Sequence, residues 1–346
     1  MKRSFMFICA AALLLTGCGA SADEASAQLF AMDTVMQLDA YGHQVKQAVS
    51  DAEEIIQALE ARLSRTREDS LVSVLNQNGA AQDLSAAEQA LLSEALTFRD
   101  ATGGAFDITI APVMDAWGFT GDSYRVPAQD ELDALLENVN SDEIRLSGSS
   151  VTLGAGQAID LGGIAKGYTS DCVEAVFREN KIESGKISLG GNVFVLGGKP
   201  DGADWRVGIR DPQDENALAA VLTLRDAYAI TSGGYERYFT ENGNTYHHII
   251  DPSTGYPADS GLLSVTVVAE ANGPDFSGPG NGTMCDAFST ALFVMGEERA
   301  LEFWQTGGYD FDLVLVTADG RVIITDGLSD RFEVVKDSGY TYETVS

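Results

Sequence analysis

A carboxylate and a hydroxyl lie four residues apart in the segment CDAFSTAL (285–292), whose pattern is typical of the start of a helix. That spacing puts Asp286 and Thr290 on the same helical face. A carboxylate with a hydroxyl is a pair of hard oxygen donors of the kind that binds Mg²⁺ or Ca²⁺. Because Asp is also a common capping residue at a helix start, the pattern alone leaves a metal ligand and a helix cap as alternatives.

Two of the three histidines in the chain are neighbours, His247 and His248, at the end of a strand-like run. Neighbouring residues of a strand point to opposite faces, so at most one of the two faces a site. An imidazole that titrates near neutral pH suits general-base chemistry. The alternative is a packed histidine beside a surface histidine. Asp251, which precedes a proline, is expected to shape a turn.

Two glycine pairs lie next to candidate binding residues. In IDLGGIAKG (159–167), a strand-like segment leads through two glycines into a helix, with Asp160 and Lys166 on either side. Glycines at a helix N-terminus let the backbone approach a ligand closely, although a purely structural turn is the alternative. In TGGAFD (102–107), a glycine pair precedes Ala105, Phe106 and Asp107. This segment forms either a wall against a planar ring or an ordinary helix end.

The elements that must position these residues indicate an α+β fold with mainly antiparallel sheets and packed helices. Residues 43–63 have apolar residues at helical spacing, Ser85 and Glu88 form a capping box for a helix that ends at Gly103, and residues 128–139 predict a further short helix. Predicted strands cover 34–41, 186–189, 192–198, 205–210, 220–225, 228–234, 246–250 and 262–269, with a hairpin at 312–325. We predict one domain over 29–346, with two lobes as an alternative.

The N-terminus has the pattern of a bacterial lipoprotein signal. Lys2 and Arg3 precede an apolar run that is too short to span a bilayer, and small residues lead to Cys18. We predict a signal peptide over 1–17, acylation (palmitate) of Cys18 and a flexible tether over 18–28. The protein would then be lipid-anchored on the extracytoplasmic face of the bacterial cell membrane. An ordinary signal peptide with a chance cysteine is the alternative.

The charge of the chain excludes some partners. With 52 acidic and 22 basic residues, the formal net charge is −30 at pH 7. Such a chain repels nucleic acid, so DNA and RNA are not expected as partners. An anionic ligand would have to be bound by local amides, a few cations or a bridging metal. Cys172 and Cys285 form no metal-binding pattern, and we do not expect them to pair.

The order and spacing of these segments resemble the ApbE family, the FAD:protein FMN transferases, over nearly all of residues 30–325. The matching segments are MDTVMQL (32–38), LSRTREDSLVSVLN (63–76), GGAFDITIAPVMDAWGF (103–119), IDLGGIAKGY (159–168), TSGGYERYF (231–239) with YHHIIDPSTGYP (246–257), and DAFSTALFVMG (286–296). The resemblance implies a fold related to the T-fold and a flavoprotein substrate.

The resemblance also assigns roles to individual residues. The implied FAD contacts are Met32, Thr66, Ala105, Phe106, Asp107, Asp160, Lys166 and Ile250. The implied metal ligands are the Asp286 and Thr290 side chains and the Gly163 carbonyl, with Ser289 adjacent. His248 occupies the position of the family's candidate base. Mg²⁺ is expected, with Ca²⁺ or Mn²⁺ as alternatives. Thr66 stands where the family usually has an aromatic residue that stacks on the flavin, and Tyr124, Tyr235 and Tyr256 are candidates to replace it.

The implied reaction is transfer of FMN from FAD to a Thr or Ser hydroxyl of an acceptor protein, with release of AMP. The acceptor would be a flavoprotein subunit of an electron-transport complex or an exported reductase. An FAD pyrophosphatase that yields FMN and AMP is the nearest alternative, because only the nucleophile differs. A non-catalytic flavin-binding lipoprotein is the second alternative, although binding alone needs no base.

Overall fold

The computed structural model describes residues 23–121, 123–274 and 276–346. The predicted signal peptide, Cys18 and the first residues of the tether lie outside this range. The helices are α1 (Val45–Leu63), α2 (Leu71–Asn78), α3 (Ala86–Ala101), α4 (Ala111–Trp117), α5 (Gln129–Leu136), α6 (Ala165–Glu179), α7 (Asn281–Met295) and α8 (Glu297–Thr306), with 3₁₀ helices at Ile108–Ile110, Ser141–Glu143 and Asp326–Leu328.

The strands run throughout the chain. They are β1 (Asp23–Ala31), β2 (Thr34–Gly42), β3 (Ala80–Ala81), β4 (Arg145–Ser147), β5 (Ser150–Thr152), β6 (Ser184–Leu189), β7 (Asn192–Leu196), β8 (Trp205–Asp211), β9 (Asp214–Leu224), β10 (Ala227–Gly233), β11 (Tyr238–Glu241), β12 (Asn244–His247), β13 (Leu262–Glu270), β14 (Asp312–Thr317), β15 (Arg321–Thr325), β16 (Phe332–Val334) and β17 (Thr341–Val345).

A nine-stranded sheet organises the fold, in the order β1-β2-β6-β7-β10-β13-β14-β15-β17. Its neighbouring strands are antiparallel except for the parallel pair β15–β17. Smaller sheets are formed by β16-β9-β8, β3-β5-β4 and β11-β12. The predicted α+β class with mainly antiparallel sheets is therefore confirmed.

Both faces of the large sheet are covered, so its central strands are apolar on both sides. Along β14, Leu313 and Leu315 belong to the core beneath the helices, whereas Val314 and Val316 belong to the core beneath β8, β9 and β16. The alternation follows from the two-residue period of a strand. Helices α1, α6 and α7 pack on the first face. The sheet consequently supports α6 and α7 from one side.

A third apolar cluster lies beside the two main cores and centres on Trp117 at the end of α4. The indole packs against Val113, Leu132 and Ile250, and its Nε1 donates to the carbonyl of Gly255 at 2.7 Å. This bond joins α4 to the turn that follows β12. The cluster therefore fixes the chain that carries the two adjacent histidines.

The flexible tether predicted over residues 18–28 extends too far, because β1 already begins at Asp23. Residues 23–28 belong to β1, which pairs in register with β2, so the folded part begins before residue 29. The composition is small and polar, but Ala25, Ala27 and Leu29 are half-buried against the core. A two-residue turn joins the strands, and both of its residues, Met32 and Asp33, have positive φ. This is the conformation of a tight hairpin turn.

Several local predictions are confirmed. The capping box of Ser85 and Glu88 is present at the start of α3. The hairpin of β14 and β15 turns at Gly320, whose φ is 87°. Within the described residues, no helix combines the length and apolar character needed to cross a membrane.

Candidate active site

A cavity of about 780 Å³ opens where the starts of α6 and α7, the β1–β2 turn and the chain after β12 meet. Its volume lies within the range of sites for cofactor-sized ligands. The predicted site residues that line it are Met32, Thr66, Ala105, Phe106, Asp107, Asp160, Gly163, Lys166, His248, Ile250, Asp286 and Thr290. Ser289 does not line it, and Cys18 lies outside the described residues.

The Gly162-Gly163 turn positions the start of α6. The strand predicted before this turn is wrong, because residues 158–160 belong to no strand of the structure. The carboxylate of Asp160 instead folds back and accepts the N–H of Gly162 at 2.7 Å. A Cβ added to Gly163 would lie 3.4 Å from Thr290 Oγ1. The turn that leads into α6 is therefore in contact with α7.

Lys166 provides a cation at the same end of α6. Its Nζ donates only to the carbonyl of Gly162, at 3.4 Å, and no carboxylate of the described residues forms an ion pair with it. In a chain with a large excess of acidic residues, this ammonium group is available to an anionic ligand. The local cation expected from the sequence is therefore present in the cavity.

Arg65 forms an ion-pair bridge at the cavity wall that the sequence did not predict. Its guanidinium contacts Asp160 Oδ2 at 2.9 Å and Asp115 Oδ2 at 2.8 Å. The side chains of Arg65 and Asp160 are largely buried, at 14% and 16% exposure. Arg65 thus balances two carboxylates beside the place where an anion would bind.

The carboxylate of Asp286 is buried and does not cap its own helix. Asp286 lies in the second turn of α7, so the capping alternative is wrong. Its Oδ2 accepts the backbone N–H of Gly167 in α6 at 2.8 Å. Its Oδ1 makes no hydrogen bond to a described residue. One oxygen therefore joins the two helices, and the other remains available in the cavity.

The neighbouring hydroxyls are not equivalent. Ser289 is wholly buried, donates to the carbonyl of Asp286 at 2.9 Å and contacts Ser232 Oγ at 2.8 Å. Its hydroxyl is used inside the protein and does not line the cavity, so its predicted place beside the metal stays a prediction. Thr290 lines the cavity, with Oγ1 3.2 Å from Ser232 Oγ. Helical spacing explains the difference, since residues 289 and 290 point about 100° apart.

The chemistry of the remaining donors fits a hard divalent cation. Asp286 offers an unpaired carboxylate oxygen, Thr290 a hydroxyl and Gly163 a backbone carbonyl, which are the oxygen ligands that Mg²⁺ accepts. No cluster of three or more His, Cys, Asp or Glu side chains suited to a metal occurs among the described residues. A bound ion would therefore depend on these few oxygens, on water and on the phosphates of the ligand.

The two adjacent histidines have opposite hydrogen-bonding arrangements. His248 Nδ1 lies 3.2 Å from the carbonyl of Arg237. A carbonyl only accepts, so Nδ1 carries the proton and Nε2 keeps its lone pair. Nε2 makes no hydrogen bond to a described residue. His247, in contrast, donates from Nε2 to the carbonyl of Ala258 and accepts from the N–H of Ile249. His247 is thus a structural residue, as strand alternation predicts.

The surroundings of His248 keep its imidazole neutral. Burial, together with the positive charges of Arg237 and Lys166, lowers the pKa of His248 to about 3. Near neutral pH the ring is therefore unprotonated, and the lone pair of Nε2 faces the cavity without a partner among the described residues. His248 therefore has the protonation state and tautomer that a general base requires.

The segment after α3 supplies a wall of the cavity. Ala105 and Phe106 are buried and line it. Asp107 is also buried, but its carboxylate accepts the N–H of Thr109 at 2.8 Å and the hydroxyl of Ser141. The carboxylate therefore stabilises the 3₁₀ helix at Ile108–Ile110. Asp107 lines the cavity, but its carboxylate is already hydrogen-bonded within the protein. A contact between Asp107 and FAD would therefore have to involve other atoms of the residue.

The other predicted flavin contacts come from three different segments. Met32 lies in the β1–β2 turn, where Thr169 Oγ1 is 3.6 Å from its sulfur. Ile250 lies after β12 in the Trp117 cluster. The hydroxyl of Thr66 is 3.1 Å from Ser64 Oγ, so this position offers no ring to stack on. The contacts from these segments stay predictions, although all of them line one cavity.

One of the three tyrosines considered as a replacement for the missing aromatic residue lines this cavity. Tyr235 does so, with the guanidinium of Arg210 5.4 Å from its ring centre. Tyr124 is stacked on Phe239 at 5.1 Å, and Tyr256 packs against Trp117. Tyr235 is consequently the best placed of the three to contact an aromatic ligand.

Ser232, Glu236 and Arg237 also line the cavity and were not predicted.

Replacing Arg65 with alanine is expected to raise the dissociation constant for the FAD that the resemblance implies about tenfold, which corresponds to roughly 1.4 kcal/mol of added electrostatic repulsion. Without the guanidinium, the carboxylates of Asp160 and Asp115 would face an anionic ligand. The matched control is Arg67→Ala. Arg67 lies in the same segment but is half-exposed, with Asp69 4.0 Å away. Titration of flavin fluorescence measures both variants, and equal affinities for the two would contradict the assignment.

Comparison with known proteins agrees with this geometry. The family model described as the ApbE family matches residues 32–313. A protein named FAD:protein FMN transferase from Treponema pallidum (strain Nichols) is 33% identical over 312 residues, covering 84% of this chain and 83% of the relative. A protein of the same name from Haemophilus influenzae is 32% identical over 285 residues, with 79% of each chain covered.

Solved structures show the same similarity in three dimensions. The crystal structure of the ApbE protein from Thermotoga maritima aligns with a TM-score of 0.78 and 29% identity, covering 91% of this chain and 97% of that one. The apo form of the Pseudomonas stutzeri flavinyl transferase ApbE aligns with a TM-score of 0.75 and 25% identity, covering 87% and 93%. The chain therefore belongs to the ApbE family.

Proposed function

We propose that this protein is an enzyme that transfers FMN from FAD to a Thr or Ser hydroxyl of an acceptor flavoprotein, with Mg²⁺ as cofactor and AMP as the second product. The relatives named FAD:protein FMN transferase support this proposal. The observation that carries it is the neutral His248 with a free Nε2 in the same cavity as the available oxygen of Asp286. A flavin-binding protein would need neither group.

The reaction requires one bond to form and one to break. The acceptor hydroxyl oxygen bonds to the phosphorus on the FMN side of the FAD pyrophosphate, and the P–O bond to the AMP side breaks. The hydroxyl proton passes to Nε2 of His248, and AMP leaves with the bridging oxygen. Catalysis of such a transfer depends mainly on positioning and electrostatic stabilisation.

The residues around the pyrophosphate would orient it. Asp286, Thr290 and the Gly163 carbonyl would hold the cation, which offsets the charge of the pyrophosphate when bound. Lys166 would contact a phosphate oxygen with its free ammonium group. Arg65 would keep Asp160 paired and so reduce the repulsion between that carboxylate and the anion.

The proposed location rests on the N-terminal sequence, and the proposed acceptor rests on the resemblance to the ApbE family. We propose that the protein is acylated at Cys18 and lies on the extracytoplasmic face of the membrane. β1 begins at Asp23, so only four residues separate it from Cys18. The acceptor would then be a flavoprotein subunit of a membrane electron-transport complex or an exported reductase. Labelling of the cells with a radioactive fatty acid tests the anchor, and no label on the protein would contradict it.

The nucleotide products separate the proposed reaction from its alternatives. The purified protein is incubated with FAD, Mg²⁺ and an acceptor protein, and the nucleotides are resolved by chromatography. Release of AMP without free FMN supports transfer. Equal amounts of AMP and free FMN, produced with or without acceptor, would instead indicate a pyrophosphatase. Unchanged FAD would contradict any enzymatic function with that acceptor.

The low pKa of His248 predicts a flat pH dependence. Because the ring is neutral well above pH 3, kcat/KM for FAD should change less than about twofold between roughly pH 6 and 8. A histidine with an ordinary pKa near 6.5 would lose activity about fourfold over the same decrease in pH. Initial rates of AMP release in constant-ionic-strength buffers measure this. A decrease centred near pH 6.5 that is absent in His248→Ala would contradict the assigned state of the ring.

A further inference from the structure

A second buried carboxylate, outside the cavity, lies between α6 and α7. Asp171 of α6 is wholly buried. Its Oδ1 accepts the N–H of Gly282 and the side-chain amide of Asn272, at 2.8 and 2.7 Å. Its Oδ2 accepts the N–H groups of Gly280 and Thr283, both at 2.8 Å, and the hydroxyl of Thr283. All five donors come from the loop before α7 or from its first turn.

These contacts make Asp171 the N-terminal cap of a helix to which it does not belong. The first N–H groups of a helix have no partner within the helix, and Gly280, which precedes α7, has no side chain to bind them. Asp171 accepts three backbone N–H groups in this region. A carboxylate at a helix N-terminus is also favoured by the helix dipole. The start of α7 is therefore held by a residue of α6.

A reciprocal contact joins the same helices one turn away. Asp286 of α7 accepts the N–H of Gly167 in α6. Gly167 lies four residues before Asp171 and hence on the same face of α6. The helices are so close here that a Cβ on Gly167 would lie 2.2 Å from the carbonyl oxygen of Gly282. Each helix thus binds backbone amides of the other through one carboxylate.

This arrangement relates Asp171 to the cavity. Asp286 and Thr290 lie on the helix whose start Asp171 caps, and Gly163 lies just before the helix that carries Asp171. We propose that Asp171 is a positioning residue that holds Asp286 and Thr290 in register with Gly163 and so sets the affinity for the divalent cation. The inference rests on the metal site of the proposed function and goes beyond it, because Asp171 does not line the cavity.

The variant Asp171→Asn tests this inference. The amide is nearly isosteric, but its NH₂ group would face backbone donors in place of an acceptor, so the start of α7 must shift. We expect the dissociation constant for Mn²⁺, used as the probe in the presence of FAD, to rise about 10–100-fold, as is typical when the support of a metal ligand is lost. The free-Mn²⁺ signal in electron paramagnetic resonance measures this without any turnover.

Glu174→Gln is the matched control. Glu174 is also wholly buried on α6 and contacts Asn272, Tyr228 and Arg178. It shares the Asn272 amide with Asp171, but it accepts no N–H of α7. We expect this variant to melt at a lower temperature and to bind Mn²⁺ within about twofold of the unchanged protein. If Asp171→Asn does not fold, Thr283→Val tests the same contact, because it removes one hydroxyl donor to Asp171 and keeps the backbone. It should weaken Mn²⁺ binding severalfold.

The outcomes separate the inference from the proposed function. Weaker Mn²⁺ binding in Asp171→Asn or Thr283→Val, but not in Glu174→Gln, supports the positioning role even where no acceptor is modified. Unchanged Mn²⁺ affinity in the folded Asp171 and Thr283 variants would overturn it. Equal weakening in all three variants would also overturn it, because the network would then act on overall stability alone. Failure of FMN transfer by the unchanged protein would contradict only the proposed reaction.

Discussion

Replacing Asp286 with alanine is expected to lower the rate of FMN transfer about 10³-fold, because stabilisation of transition-state charge by a metal is worth several kcal/mol and each 1.36 kcal/mol is a factor of ten. The variant loses the only unpaired carboxylate oxygen proposed for the cation. It also loses the bond to Gly167 N–H that joins α7 to α6. Initial rates of AMP release at saturating FAD and acceptor measure the change.

Two further variants distinguish charge from structure in this prediction. Asp286→Asn keeps an oxygen that can accept the Gly167 N–H but removes the charge, so its activity should recover in part at high Mg²⁺. Asp39→Asn is a control for a buried carboxylate outside the cavity, since Asp39 pairs with Lys186 at 2.9 Å. It should lower stability and leave the Mg²⁺ dependence unchanged. Near-normal transfer by Asp286→Ala would contradict the proposed metal site.

His248→Ala is expected to lower kcat for transfer about 10²–10⁴-fold, which is the usual contribution of a general base. The affinity for FAD should change little, because the imidazole is assigned to the acceptor proton and not to flavin binding. Single-turnover rates, with FAD affinity measured separately, test both parts. Added imidazole should restore part of the rate by entering the space that the ring leaves.

The adjacent histidine provides the control for this variant. Both ring nitrogens of His247 are used by Ala258 and Ile249, so His247→Gln should cost about 1 kcal/mol of stability and leave transfer nearly unchanged. If the loss of activity occurred instead in the His247 variant, the roles deduced from the two hydrogen-bonding arrangements would be wrong.

Much of the fold could be predicted because its local patterns are strong. The apolar spacing of residues 43–63 predicts α1, and the Ser85–Glu88 pair predicts the start of α3. The run DLVLVTADGRVIIT predicts the hairpin of β14 and β15. In each case, propensity, periodicity and turn chemistry agree within a short segment.

The errors occur where the decisive partner is distant in sequence. β1 is an edge strand rich in small and polar residues, and among the described residues it pairs only with β2, across the Met32-Asp33 turn. The segment before Asp160 has the composition of a strand, but it pairs with no strand among the described residues. Such tertiary contacts override local propensity.

Contacts of the site residues are also hard to predict where the two partners are distant in sequence. The pairing of Arg65 with Asp160 spans 95 residues, and the capping of α7 by Asp171 spans more than 100. No local signal marks either contact. Asp107 and Ser289 were assigned by position in a motif, yet their side chains are bound within the protein. Only the folded chain shows which polar atoms of a motif remain available.

The measurement that tests the central claim most directly is the intact mass of an acceptor protein after incubation with this protein, FAD and Mg²⁺. The account predicts a gain equal to one FMN less one water, located by fragmentation on a Thr or Ser, with one AMP released per acceptor modified. The gain should be absent with Asp286→Ala and with His248→Ala. Cleavage of FAD to AMP and free FMN, with an acceptor of unchanged mass, would contradict the proposed transfer.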